Sequence, residues 1–212
     1  MRTRIISIVL LTSALAAAQS AGPGSTEVAK RFDAMYSAEK KLYKTDANAF
    51  LVAMAANLKP GTALDVAMGQ GRNAVWLASQ GWNVTGYDVS EEGLRQAREA
   101  AASRGLKVNA VRASHRDFDF GRERWDLIVM TYALADMEDQ AFLRRIQESL
   151  KPGGVVLVEQ FNAAPVPGAK GPANALFKTF ASYRVLHYED VTGISEWGFE
   201  EARLGRILAQ KE

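Results

Sequence analysis

The residues best placed to do chemistry lie in the run Ala63-Leu-Asp-Val-Ala-Met-Gly-Gln-Gly-Arg-Asn73, where an acid, Asp65, precedes a loop containing Gly69 and Gly71. Glycine lets a backbone turn sharply and come close to a ligand, and a helix opening near Arg72 presents free N–H groups carrying partial positive charge. Ala67, Met68 and Asn73 share this loop and join the candidate binding residues. About twenty residues on, Asp88 ends an apolar run, the position from which a carboxylate accepts both hydroxyls of a ribose. Each residue alone also has an ordinary role open to it, as a loop cap, helix cap or turn glycine. Their joint spacing points to a nucleoside-type ligand.

Two cofactor classes fit the glycines, because Gly69-Gln-Gly71-Arg-Asn-Ala74 also satisfies the loose Gly-x-Gly-x-x-Gly/Ala fingerprint of nicotinamide-binding folds. Asp65 separates them. A carboxylate beside the loop repels a pyrophosphate and attracts an ammonium group, by about a few kcal/mol at an effective dielectric near 20. The ligand expected there is cationic, and an NAD-dependent oxidoreductase becomes the weaker alternative.

Positioning these residues requires a strand before the loop and a helix after it. Ala63 to Ala67 is a short apolar strand candidate, and the helix that follows stops at Gly81. The alternation repeats with Asn83 to Tyr87 as strand, Glu91 to Arg104 as helix capped by Ser90, and Lys107 to Ala113 as strand. Trp125 to Met130 is a strand, Asp139 to Leu150 a helix, and Val155 to Glu159 a strand opened by the turn Lys151-Pro-Gly-Gly154. This order predicts an α/β, doubly wound, mostly parallel sheet with helices on both faces. Arg184 to Tyr188 and Gly205 to Gln210 follow without a clear crossover helix, so an antiparallel pair is expected at the sheet edge. Between them and the fifth strand lie a Gly- and Pro-rich loop, Pro165 to Pro172, and a helix candidate, Asn174 to Ala181. Ahead of the sheet, Glu27 to Leu58 reads as helices with a break near Lys44-Thr45-Asp46.

By this topology Tyr132 and Ala133 after the fourth strand, and Gln160 and Phe161 after the fifth, face the reacting end of the ligand. Tyr36 and Tyr43, on the covering helices, complete the acceptor-pocket candidates Tyr36, Tyr43, Tyr132, Gln160 and Phe161. Aromatic faces stabilise a cation by about 0.5 to 2 kcal/mol each.

The chain has 212 residues with 26 basic and 24 acidic side chains, which fits one domain and offers little electrostatic purchase for a nucleic acid. Cysteine is absent, excluding disulfides and thiolate metal sites. His115 and His187 are isolated from other ligating residues, so no metal is expected. Met1 to Ala18 has the charged start, apolar core and small residues of a signal peptide, with residues 19–26 as linker and 27–212 as the domain. Its cleavage predicts an exported protein with no membrane attachment; without it the chain is cytoplasmic.

Asp65 to Gly71, Asp88-Val-Ser90, Trp125-Asp-Leu-Ile-Val129 and Leu150-Lys-Pro-Gly-Gly154 together resemble the successive motifs of class I S-adenosylmethionine-dependent methyltransferases. The run Gly69-Gln-Gly-Arg-Asn73 with Gly81-Trp-Asn-Val-Thr-Gly86 is similar to the tellurite-resistance and thiopurine-type branch, whose members act on small molecules. The resemblance implies a seven-stranded sheet and S-adenosyl-L-methionine as cofactor, with methyl transfer to a small-molecule acceptor. It further implies that Asp65 holds the methionine amino group and that Gly69 and Gly71 line the methionyl chain and ribose. Asp88 takes the ribose hydroxyls and Val89 packs on adenine, with Ser114, His115 and Met130 also at the cofactor. Two positions depart from the pattern. Ala67 replaces the loop's first glycine, on the expectation that ordinary backbone angles suffice there, and Ser114-His115 stands where relatives place an acid, with Asp117 as a substitute. An exported module that keeps the nucleoside site without transferring methyl is the alternative function.

Overall fold

The structure is a computed structural model that describes residues 26–162 and 172–212. The signal-peptide expectation, most of the linker and most of the Pro165–Pro172 loop fall outside the described residues. Two helices come first, α1 (Thr26–Ser37) and α2 (Ala49–Ala55). The alternating part runs β1 (Thr62–Val66), α3 (Arg72–Ser79), β2 (Asn83–Asp88), α4 (Glu91–Ala102), β3 (Val108–Arg112), β4 (Trp125–Thr131), α5 (Gln140–Ser149) and β5 (Leu150–Phe161). A short helix α6 (Ala175–Thr179) leads to a hairpin of β6 (Arg184–Ile194) and β7 (Glu201–Gln210).

These strands form one seven-stranded sheet in the order β3-β2-β1-β4-β5-β7-β6. β3, β2, β1, β4 and β5 are parallel, and β7 enters antiparallel between β5 and β6. Period-two side-chain alternation divides the core between the two faces. On β4, Leu127 and Val129 pack on the α2, α3 and α4 side, whereas Ile128 and Met130 pack against α5 and α6. β5 repeats this with Val155 and Leu157 on the first face and Val156 and Val158 on the second. Burial on both faces is why these strands are continuous apolar runs.

The last hairpin is longer than expected. Arg206 lies opposite Glu159 on β5 and Glu189 on β6, and it bonds both, at 2.6 and 2.9 Å. Arg203 grips Asp190 at 2.6 Å. These cross-strand ion pairs let charged sequence form strand, so β6 and β7 extend through the polar stretch where the hydrophobic pattern fades. The N-terminal break is also wider than the Lys44–Asp46 reading, running from residue 38 to 48. Within it Tyr43 forms an antiparallel bridge with Trp197 at the hairpin tip. α1 starts at Thr26, one residue inside the expected linker.

The crossover after β1 goes to β2 on one side, while β4 lies on the other. This reversal opens a crevice at the carboxyl ends of β1 and β4, where open α/β sheets bind ligands.

Candidate active site

β1 ends in a loop that turns by left-handed backbone at Ala67, Gly69 and Gly71, with φ of 53°, 54° and 76°. A Cβ on Gly69 would lie 2.1 Å from the Tyr36 hydroxyl, so this glycine lets α1 close over the loop. Gly71 is the N-cap of α3, and its left-handed angle aims the helix start at the crevice. The expectation that Ala67 keeps ordinary backbone angles is corrected: the loop demands a left-handed residue there, which costs alanine about 1–2 kcal/mol. Tyr132 and Leu134, after β4, are also left-handed, at 52° and 53°. Ala67, Tyr132 and Leu134 all line one cavity, so backbone strain gathers at the site.

Asp65, on β1, is buried under the loop. The Ala74 N–H donates to its carboxylate, yet its Oδ2 has no hydrogen-bond partner. Burial pushes its pKa up to about 7, against the opposing pull of Arg72. Asp88 ends β2. Its Oδ2 accepts from Gly69 N at 2.9 Å and its Oδ1 from Ser90 N at 2.8 Å. Burial raises it to about 6, less than it would without those donors. The expected Ser90 cap is present, with its Oγ accepting from Gly93 N at 3.0 Å. That hydroxyl donates to Asp33 at 2.6 Å, which fastens α1 across the start of α4.

Asn73 bridges the two strand ends. Its amide donates to Thr131 Oγ1 at 2.7 Å, and its carbonyl accepts from Asn48 N at 2.9 Å. His115 is held between the Tyr87 hydroxyl, 2.8 Å from Nδ1, and the Ala133 carbonyl, 3.1 Å from Nε2. The carbonyl can only accept, so the proton is on Nε2 and Tyr87 donates to Nδ1. Burial lowers the His115 pKa and keeps the ring neutral. Ser114, which stands where relatives place an acid, donates to its expected substitute Asp117 at 2.6 Å.

A cavity of about 780 Å³ joins these parts, within the range of small-molecule sites. Its wall includes Ala67, Met68, Asn73, Asp88, Val89, Ser114, His115, Tyr36, Tyr43, Tyr132 and Ala133 from the sequence reading. Other expected residues are elsewhere. Met130 is fully buried in the α5-side core and does not line the cavity. Gln160 and Phe161 do not line the cavity: β5 continues through them to pair with Gly205 and Leu204, and Phe161 packs on the Tyr132 ring at 5.2 Å. Asp65, Gly69 and Gly71 are not among the residues that line the cavity, whereas Ala67, Met68 and Gln70 of the same loop are.

The sequence reading missed the hairpin tip and its anchor. Trp197 joins the wall, stacked on Tyr43 with ring centroids 5.2 Å apart, and Tyr43 meets Tyr36 edge-on at 5.6 Å. Glu196 accepts from Arg72 at 2.7 Å, from Asn48 Nδ2 at 3.0 Å and from Ala49 N at 3.0 Å. The one signal for them was a tryptophan in the Gly-containing stretch between the last two strand candidates. Among the described residues, no group of three or more His, Asp or Glu is arranged to hold a metal ion.

Residues 63–154 match the methyltransferase domain family. The chain has the class I methyltransferase fold. TehB from Haemophilus influenzae superposes with a TM-score of 0.66 at 21% identity, covering 78% of this chain and 62% of TehB. The 1,6-didemethyltoxoflavin-N1-methyltransferase of Burkholderia thailandensis, solved with S-adenosylhomocysteine, superposes at 0.58 with 21% identity, covering 77% and 75%. In sequence the chain is 28% identical over 100 residues to a ubiquinone biosynthesis O-methyltransferase of Rickettsia conorii. That stretch is 47% of this chain and 34% of the relative, so the chain spans about a third of its length. In this methyltransferase fold the glycine loop after β1 and the acid ending β2 occupy the crevice that the topology provides, and the reversed β6–β7 hairpin closes its far side.

Proposed function

We propose that the chain is an S-adenosyl-L-methionine-dependent methyltransferase acting on a small molecule. The observation that carries this reading is the Asp65 carboxylate, buried with Oδ2 unpartnered beneath a loop whose glycines admit no side chain. A buried carboxylate without a partner is costly, and an ammonium group nearby relieves it. A pyrophosphate adds to the cost, which disfavours a nicotinamide cofactor.

S-adenosyl-L-methionine supplies a methyl group already activated on a sulfonium. Asp65 attracts its ammonium end. Asp88, at the end of β2, offers its carboxylate to the ribose hydroxyls, with the backbone N–H groups of Gly69, Ser90 and Val89 fixing its orientation. Val89 and the Ser114–Asp117 pair stand at the adenine end. Tyr36, Tyr43 and Trp197 offer aromatic faces to the cationic end. Holding acceptor and donor in line supplies about 7–11 kcal/mol of the barrier reduction, so positioning does most of the work.

Isothermal titration with S-adenosyl-L-methionine and NAD tests the proposal. Saturable binding of the first and none of the second is expected, and a folded protein that binds neither would refute it. Binding of the nucleoside with no methyl transfer to any acceptor would support the non-catalytic alternative. We further propose that residues 1–18 are a cleaved export signal, which the N-terminal sequence of the mature protein checks.

A further inference from the structure

α1 carries its cavity-lining residues, Val28, Ala29, Phe32 and Tyr36, on one face at helical spacing. Its charged residues Glu27 and Arg31 pair with each other at 3.5 Å on the exposed side, and Lys30 is exposed. Asp33 is different: one turn from both Ala29 and Tyr36, it crosses to α4. Resting on the methyltransferase reading, we propose that Asp33 is a positioning residue for the cofactor, a latch that docks α1 beside Asp88 and so couples closure of this cavity wall to cofactor binding.

The latch is a helix cap supplied from a distance. Asp33 Oδ1 accepts from Ser90 Oγ at 2.6 Å and from Glu92 N at 3.1 Å, while Ser90 Oγ accepts from Gly93 N at 3.0 Å. A carboxylate 57 positions from the Ser90 cap thereby meets the positive end of α4. The same Ser90 serves Asp88, whose Oδ1 accepts from its N–H at 2.8 Å. Asp33 and Asp88 therefore straddle one residue. Tyr36 completes the seam, filling the spaces that side chains on Gly69 and Gly93 would need, and its carbonyl accepts from Gln96 Nε2 at 3.0 Å. One helix thus touches both the glycine loop after β1 and the turn after β2.

Two consequences separate this latch from ordinary packing. α1 has 12 residues, a length at which an isolated helix is marginal in water, so its docking depends on contacts with α4 such as these. Any loss of docked population lowers apparent cofactor affinity in proportion. The other consequence is electrostatic. The titratable groups whose charge is felt between them and Asp88 are Asp33 and Tyr36 of α1, Asp65 of β1 and Tyr87 of β2. Asp88, raised chiefly by burial, is raised further by Asp33. An amide in place of the Asp33 carboxylate keeps an oxygen for Ser90 and Glu92 but lets Asp88 stay ionised to lower pH.

Amide hydrogen exchange in α1 and isothermal titration with S-adenosylhomocysteine, both on the full chain, test the latch. The ligand is expected to slow exchange of the α1 amides in the wild-type protein. Asp33→Ala should exchange faster there without ligand and bind about tenfold more weakly at neutral pH. Asp33→Asn should recover most of that affinity and hold it to more acid pH than the wild type, a shift that packing alone would not produce. Should the alanine variant not fold, the pH profile of the asparagine variant decides alone. Equal affinity of Asp33→Ala and wild type overturns the proposal, as does α1 exchange indifferent to the ligand or an unmoved pH profile in Asp33→Asn. Failure of the wild-type protein to bind either S-adenosyl-L-methionine or S-adenosylhomocysteine refutes the underlying methyltransferase reading instead.

Discussion

Arg72 and Glu196, 124 positions apart in the chain, meet at 2.7 Å and tie the first turn of α3 to the tip of the β6–β7 hairpin. The pair is nearly buried, with side chains 10% and 7% exposed. Removing one partner of such a pair strands the other charge, at about 3–5 kcal/mol. Arg72→Ala is expected to cost about 3 kcal/mol in denaturant unfolding. Glu196→Ala should cost more, because Asn48 and the Ala49 N–H also lose their acceptor. The double variant should lose less than the sum, and strict additivity would show that the two do not interact.

Ala67 and Gly69 both sit at left-handed φ, with opposite consequences for substitution. Ala67→Gly removes about 1–2 kcal/mol of strain and gives back about 0.4–1 through the freer unfolded chain. A net gain of about 0.5–1 kcal/mol in stability follows. Gly69→Ala drives a methyl into the Tyr36 hydroxyl and should cost about 2 kcal/mol or more, while displacing α1 from the loop. Tyr36→Phe in the Gly69→Ala background should recover part of that loss, because the nearest clashing atom is the hydroxyl oxygen. No recovery would place the strain in the backbone alone.

The parallel sheet was legible because Val155 to Val158 and Leu127 to Met130 are buried on both faces, which leaves an apolar run bounded by turns. The glycine loop after β1 and the place of Asp88 at the end of β2 were legible because both depend on local spacing. Met130 shares its face with Ala133 and Phe142, which do line the cavity, but it is itself fully covered, and such depth of burial is not written in the alternation. β6 was truncated because its ladder is held by Glu189, Asp190, Arg203 and Arg206, whose pairing depends on register rather than hydrophobicity. Glu196 and Trp197 carry no local motif, and only the meeting of the hairpin tip with residues 42–49 gives them a role.

With Asp65 holding the ammonium end as proposed, its raised pKa of about 7 makes cofactor affinity depend on pH. An ammonium group favours the ionised carboxylate, so binding below pH 7 must release a proton, and affinity should rise as pH climbs from about 5.5 to 7.5. Asp88, raised to about 6, adds to the lower part of that rise. Asp65→Asn should bind more weakly at neutral pH and lose the upper part of the dependence. Titration calorimetry in two buffers of different ionisation enthalpy measures the proton directly. The linkage to folding has the opposite sense. A carboxylate whose folded pKa is raised contributes stability that is present at acid pH and lost as pH rises through about 7, so Asp65→Asn should flatten that loss.

His115 works against this trend. Its imidazole is buried and neutral between Tyr87 and Ala133, and its folded pKa lies below that of a free histidine. A histidine depressed in this way contributes stability that is present above about pH 6.5 and lost as pH falls through the folded value. Nuclear magnetic resonance separates it readily, since the chain contains only two histidines. The His115 ring should titrate below the ordinary range with its proton on Nε2 at neutral pH. His115→Ala leaves the Tyr87 hydroxyl and the Ala133 carbonyl without their partner and should cost about 1–3 kcal/mol. His115→Gln can donate to Ala133 and accept from Tyr87 through one amide, so it should retain part of that stability. A His115 that titrates normally, with Ala and Gln variants equally stable, would mean that the bridge from β2 to the end of β4 does not hold in solution.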